Sequence, residues 1–307
     1  MCLDGNNHPP IAYVIDEYEH GAIGRREFLR RATALVGAAG AAALLAACSP
    51  PAMTSPGGGA QPTVPPFGTV PADANTIQTE TVTFPSEGGA QVKGYLARPS
   101  GPGPHPAVIV IHENRGLTPH QQDLARRYAS AGFVALAVDL LSRQGGTDQF
   151  ASTQEATAAI GRVTDEQATA DLNAAVTYLK GHDAVKGQKI GVTGHCWGGA
   201  RTILLALRNP DIAAAVPYYG SSPQNLDEVS NLKGALLGIY AGNDQRINAG
   251  VPPFEEKLKA AGKTYEIKTY DGANHAFFND TGASFKVDAA QDAWARTIAW
   301  FNKYLRG

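Results

Sequence analysis

The chain has 307 residues, of which 43% are hydrophobic and 18% charged, with a formal net charge of -2 and three cysteines. That apolar fraction supports a packed core and excludes disorder as a description of the whole. The near-neutral balance offers no electrostatic footprint for DNA or RNA. The odd cysteine number, with no C-x-x-C and no Cys/His pair at zinc spacing, excludes a disulfide framework and a zinc site.

Residues 1–75 differ in composition from the rest. Gly24-Arg25-Arg26-Glu27-Phe28-Leu29-Arg30 is a twin-arginine cluster, followed by the uncharged run Ala32–Ala47, almost entirely Ala, Leu, Val and Gly. The run is shorter than the about 20 residues a spanning helix needs. A basic region, a modest apolar stretch and a small-residue end resemble a signal peptide of the twin-arginine type. The run closes in Leu45-Ala46-Ala47-Cys48, which resembles the lipobox of bacterial lipoproteins, whose cysteine is acylated. The resemblance implies an export signal over 1–48, a periplasmic or cell-envelope destination and a membrane tether through Cys48. The competing reading is an Ala-rich helix packed on the domain. Residues 49–75 are rich in Pro and Gly, a composition that buries no core and predicts a linker.

From Thr76 onward β-branched runs alternate with helical patterns. Thr79–Phe84 and Val92–Arg98 predict two strands joined at Gly88-Gly89. Ala107–His112 and Phe133–Leu140 are continuous apolar runs, as expected of strands covered on both faces. Gln121–Ala131 between them has helical spacing, stopped by Gly132. A helix over Asp165–Leu179, a strand at Lys189–Thr193 and a helix over Gly198–Leu207 follow. Strands at Ala213–Tyr219 and Ala235–Tyr240, a helix over Pro253–Ala261, a strand at Tyr265–Tyr270 and a last helix over Ala289–Leu305 complete the set. In that last helix Trp294, Ile298, Phe301 and Leu305 form an apolar stripe. This order predicts one α/β domain over 76–307, with a mainly parallel, doubly wound sheet, helices on both faces, and chemistry at the carboxyl ends of the strands.

One such end carries Gly194-His195-Cys196-Trp197-Gly198-Gly199 between a strand and a helix. This is the pattern of a nucleophile elbow with cysteine in the nucleophile position. Glycines two before and two after Cys196 admit a sharp turn, and the helix N-terminus beneath the sulfur favours a thiolate. The backbone N–H of Trp197 is placed to donate to an oxyanion. An acid and a histidine should follow in that order. Asp244, ending G-I-Y-A-G-N-D, and His275, in D-G-A-N-H-A-F-F, do so, each in a loop after a strand. His112 is the second choice of base and Asp271 of acid. A buried structural cysteine with a solvated aspartate and a capping histidine is the bland reading of the three.

With these residues the chain resembles the dienelactone hydrolase family, of the α/β-hydrolase fold, over roughly Thr79–Arg306. The resemblance implies a Cys196–His275–Asp244 triad that hydrolyses lactones or small esters through a thioester. It implies that Glu113, in I-H-E-N-R-G, contacts the resting thiol, and that the N–H of Asn114 is the second oxyanion donor. Asp139–Gln144 matches a stretch whose arginine, here Arg143, binds the substrate carboxylate, and the Y-Y-G turn places Tyr219 at the substrate. One departure stands out: Ala276-Phe277-Phe278-Asn279 lacks the second carboxylate-binding arginine that follows the family's histidine. Phe277 then predicts a more apolar substrate, unless Arg115, Arg201 or Arg246 compensates. No cofactor motif is present. Two other readings are a non-catalytic envelope lipoprotein that uses the scaffold to bind a ligand or partner, and a serine esterase using Ser221 or Ser142, neither of which lies in an elbow.

Overall fold

The computed structural model describes residues 68–306 and a few helical positions between 27 and 35. The twin arginines Arg25 and Arg26, most of the apolar run, Cys48 and the bulk of the expected linker lie outside the described residues. Two compact units divide the chain, 1–62 and 63–307. In the first, Glu27 accepts hydrogen bonds from Arg30 and Arg31, each as short as 2.6 Å.

The second unit is built on eight strands: β1 (Ile77–Pro85), β2 (Gln91–Pro99), β3 (His105–Ile111), β4 (Val134–Val138), β5 (Val185–His195), β6 (Ile212–Tyr218), β7 (Ala235–Ala241) and β8 (Tyr265–Tyr270). They form one sheet in the order β1-β2-β4-β3-β5-β6-β7-β8. Strand β2 runs antiparallel to both its neighbours, and β3 to β8 are parallel. The helices are α1 (Pro119–Ser130), α2 (Thr153–Ile160), α3 (Asp165–Lys180), α4 (Trp197–Arg208), the short α5 (Gln245–Asn248), α6 (Val251–Ala260) and α7 (Val287–Leu305).

Alternation along the strands sorts side chains to two cores. Ile109 and Ile111 of β3 face a core completed by Leu172, Val176 and Leu179 of α3 and by Ile203 and Leu205 of α4. Val108 and Val110 face the other, completed by Tyr128 of α1 and by Trp294, Ile298 and Phe301 of α7. Helices therefore cover both faces, and the expected doubly wound α/β arrangement is present. On the α1 and α7 side β4 contributes only Ala135 and Ala137, which leaves room for the large aromatics of the two helices.

Several differences from the expected elements have local causes. Helix α2 has no apolar stripe in sequence, yet Ser152 caps it by accepting from the Glu155 N–H at 3.2 Å. Strand β5 starts before its apolar run because His105 pairs with Val185. The end of the segment read as linker is bound to the domain: Asp123 of α1 accepts from the Val70 N–H at 2.8 Å, and Arg126 donates to the Val70 carbonyl at 2.5 Å.

Candidate active site

Glu113, Cys196, Asp244 and His275 each follow the carboxyl end of a parallel strand, respectively β3, β5, β7 and β8. Cys196 has φ 56° and ψ -117°, a backbone state costing about 1–3 kcal/mol for a residue with a side chain. Its surroundings hold it there. A Cβ on Gly194 would lie 2.4 Å from the Gly198 carbonyl oxygen, and one on Gly198 would lie 2.4 Å from that of His112. Glycine at both positions lets β5 turn straight into α4 against the end of β3.

Asp244 caps α5, accepting weakly from the Ile247 N–H at 3.4 Å, and its other carboxylate oxygen is hydrogen-bonded to His275 Nδ1. That bond leaves the opposite ring nitrogen for Cys196. The hydrogen bond to Cys196, reinforced by Asp244 and opposed by partial burial, raises His275 to about 9. The Tyr219 ring packs against His275 with centroids 4.9 Å apart. Burial drives its phenol well above the ordinary range, so Tyr219 is a neutral wall.

His112, the second choice of base, has another place. Its ring is fully buried, which lowers its pKa, and both nitrogens are engaged. Nε2 accepts from the Leu140 N–H at 3.1 Å, so Nδ1 carries the proton and donates to the Glu113 carbonyl at 2.7 Å. In a trans peptide the carbonyl and the next N–H point in opposite directions. His112 thus sets the direction of the Asn114 N–H. The same ring stacks on Trp197 at 5.6 Å and 10°. Trp197 opens α4, where the first N–H groups have no partner within the helix.

Glu113 is hydrogen-bonded to Asn279 Nδ2, at 3.0 Å, rather than to the thiol, and burial raises its pKa. Sequence reasoning missed Asn279 as a partner; the only signal was its place in the stretch where an arginine was lacking. The adjoining Asp280 is tied to Arg127 at 2.5 Å, and Arg127 to Asp123 of the same helix, which fixes this loop on α1.

Two expectations are corrected. Arg143 is placed away from the cavity lining: its Nε and Nη2 grip the two oxygens of buried Asp171 at 3.0 and 2.8 Å, and Nη2 also donates to the Glu87 carbonyl at 3.1 Å. Phe277 also lies off the cavity lining, fully buried with its ring against Tyr219 and Tyr270, at 5.6 and 5.2 Å. The apolar wall expected from it is absent from the cavity lining.

The cavity has a volume of about 580 Å³, within the range of small-molecule sites. Cys196, Trp197, Asn114, Tyr219 and His275 line it, and beyond them its walls are mixed, with Asp165, Gln224 and Glu228 beside Leu204, Pro223 and Ile247. Of the three arginines weighed as substitutes for the missing one, Arg201 and Arg246 line it. Arg201 extends from α4 over the Trp197 ring, 4.6 Å from the centroid, and binds Asp165 at 2.9 Å. Thr164 and Gln167 form a capping box that fixes Asp165 at the start of α3.

An α/β-hydrolase sheet with a cysteine elbow, acid and histidine in this order defines a class, and comparison with known proteins narrows it. The sequence profile described as "Dienelactone hydrolase family" matches residues 92–305. A protein of Methylorubrum extorquens assigned as a carboxymethylenebutenolidase is 36% identical over 77% of this chain and 84% of its own length. One of Escherichia coli K12, assigned likewise, is 35% identical over 72% of this chain and 86% of its own. A crystal structure from Klebsiella pneumoniae, described as a dienelactone hydrolase, superposes with a TM-score of 0.69 at 34% identity, covering 75% of this chain and all of that one. The chain belongs to the dienelactone hydrolase family and is a carboxymethylenebutenolidase-like hydrolase.

Proposed function

We propose that the protein hydrolyses lactones or small activated esters through a thioester on Cys196. The observation that carries this reading is His275 held between Asp244 and Cys196 at the wall of the cavity. The Cys196 thiolate attacks the acyl carbon, and the Trp197 and Asn114 N–H groups receive the oxyanion. The C–O bond breaks as His275, an imidazolium below about pH 9, gives its proton to the departing alkoxide. In a lactone that alcohol stays attached to the acyl group. Neutral His275 then takes a proton from water as it attacks the thioester; the acid leaves and the thiolate is restored. Asp244 keeps the imidazole in register through both halves. Glu113 bonded to Asn279 leaves the sulfur to His275; turned toward the sulfur, its carboxylate would disfavour the thiolate and mask the resting nucleophile.

We also propose export with attachment to a membrane at Cys48, resting on the twin arginines and on Leu45-Ala46-Ala47-Cys48. Mass spectrometry of the full-length protein incubated with an enol lactone tests both. An added acyl mass on Cys196, absent in Cys196→Ala along with turnover, is expected. Turnover that survives Cys196→Ala refutes the triad, and an unmodified chain still carrying residues 1–47 refutes the tether.

A further inference from the structure

The loop that carries His275 is held by buried charges that do not line the cavity. Asp123 and Arg127 of α1 are 4% and 3% exposed. Arg127 donates from Nε to Asp123 at 2.7 Å and from Nη2 to Asp280 at 2.5 Å, so one guanidinium bridges two carboxylates. His120 faces the other Asp280 oxygen at 3.3 Å, but burial lowers its pKa to about 4 and keeps it neutral. Among the described residues Arg127 is thus the cation that matches Asp280. At the opposite end, the second Asp123 oxygen accepts from the Val70 N–H at 2.8 Å. Arg126 ties the Val70 carbonyl to the same oxygen, at 2.5 and 3.2 Å. Removing one partner from a buried pair is costly, so each member of this bridge holds the next in place.

The Asp280 end of the bridge adjoins the chemistry. Asp280 follows Asn279, whose Nδ2 donates to Glu113 at 3.0 Å while its Oδ1 accepts from the Thr281 N–H and hydroxyl, at 3.0 and 2.7 Å. The Asn279 N–H returns to the Ala276 carbonyl at 3.1 Å, closing a turn that begins beside His275. His195, which precedes the nucleophile, stacks on Phe278 in that turn with centroids 5.2 Å apart. A continuous line of hydrogen bonds therefore runs from Val70 through Asp123 and Arg127 to Asp280, within the loop that presents both His275 and the partner of Glu113. We propose that Arg127 and Asp280 are positioning residues for this loop, and that the N-terminal segment at Val70 completes the set through Asp123. With Asp280 pinned, His275 keeps its place between Asp244 and Cys196, and Asn279 keeps Glu113 off the sulfur. With Asp280 released, both contacts slacken and the thiolate loses its imidazolium partner. This deepens the hydrolase reading and rests on it.

The test uses the full-length chain and nitrophenyl butyrate. Asp280→Asn keeps the shape of the side chain and removes its charge; kcat is expected to fall about tenfold with KM little changed, since small displacements of a catalytic group cost rate. Val70→Pro deletes the N–H that Asp123 accepts and no charge, and kcat should fall about threefold, the weight of a modest hydrogen bond. Because both act along one line, the double variant should be no slower than Asp280→Asn alone. Independent defects would instead multiply to about thirtyfold. That product, or a kcat unmoved by Asp280→Asn, overturns the positioning role while leaving the hydrolase in place. Should Asp280→Asn not fold, Asn279→Ala takes its place in the cycle with the same outcomes. If wild type does not turn the ester over, the hydrolase reading fails and positioning is read separately, from the rate at which iodoacetamide alkylates Cys196. Slower alkylation in each single variant, and no further loss in the double, supports it; unchanged rates or multiplied losses overturn it.

Discussion

Replacing Arg143 with Met separates a structural role from a substrate-binding one. Asp171 is 1% exposed and is held by the Arg143 fork, at 2.8 and 3.0 Å, and by the Ser86 hydroxyl at 2.6 Å. Met removes the cation and leaves a buried carboxylate with Ser86 alone. Breaking a buried ion pair from one side costs about 3–5 kcal/mol. The Arg143 side chain is 23% exposed, so water reaches the gap and the lower end, about 3 kcal/mol, applies. For a domain of this size each kcal/mol lowers Tm by about 2–4 °C, which gives a fall of about 6–12 °C. Thermal melts of wild type and Arg143→Met, with steady-state kinetics well below Tm, provide the assay. Adding Asp171→Leu should recover much of the loss, because the stranded charge goes with it. A Tm unchanged by Arg143→Met, together with a raised KM for anionic esters, would refute the assignment and return Arg143 to the substrate.

Two further outcomes follow from the site. His112→Phe keeps a ring on Trp197 but removes the donor to the Glu113 carbonyl, so kcat should fall about a hundredfold with KM little changed, comparable to losing one oxyanion donor; unchanged kcat in a folded variant would show that the Asn114 peptide needs no such guide. His275 is raised in the folded protein to about 9 from an ordinary value near 6.5, so its contacts with Cys196 and Asp244 stabilise the fold fully below pH 6.5 and cease to do so as pH rises through about 9. Asp244→Asn should therefore cost more stability in urea titrations at pH 6 than at pH 10, and an equal cost at both would contradict the raised value.

What the sequence made legible was whatever depends on neighbours along the chain. Strand β3 and strand β8 are visible as apolar or β-branched runs. The order Cys196, Asp244, His275 follows from loops that each come directly after a strand. Helix α2 was illegible because its helical state rests on the Ser152 cap and on small alanines rather than on a stripe. Arg143 was misread because its partner Asp171, on α3, is brought to it only by the fold. Asn279 meets Glu113 across 166 positions, and no local pattern encodes that contact. Phe277 looked like a substrate wall because it lies close to His275 in sequence, but the positive φ of 65° at Ala276 accompanies a turn after which the next ring enters the core.

The ring of Trp197, in contact with both His112 and Arg201, makes the protein a spectroscopic instrument. The chain has three tryptophans, and the other two, Trp294 and Trp300, are buried on α7. Only Trp197 lines the cavity with Cys196. An indole whose faces meet an imidazole and a guanidinium changes its emission when either neighbour shifts. The difference spectrum between wild type and Trp197→Phe is therefore a readout of cavity occupancy, with no label and with the thiol left free.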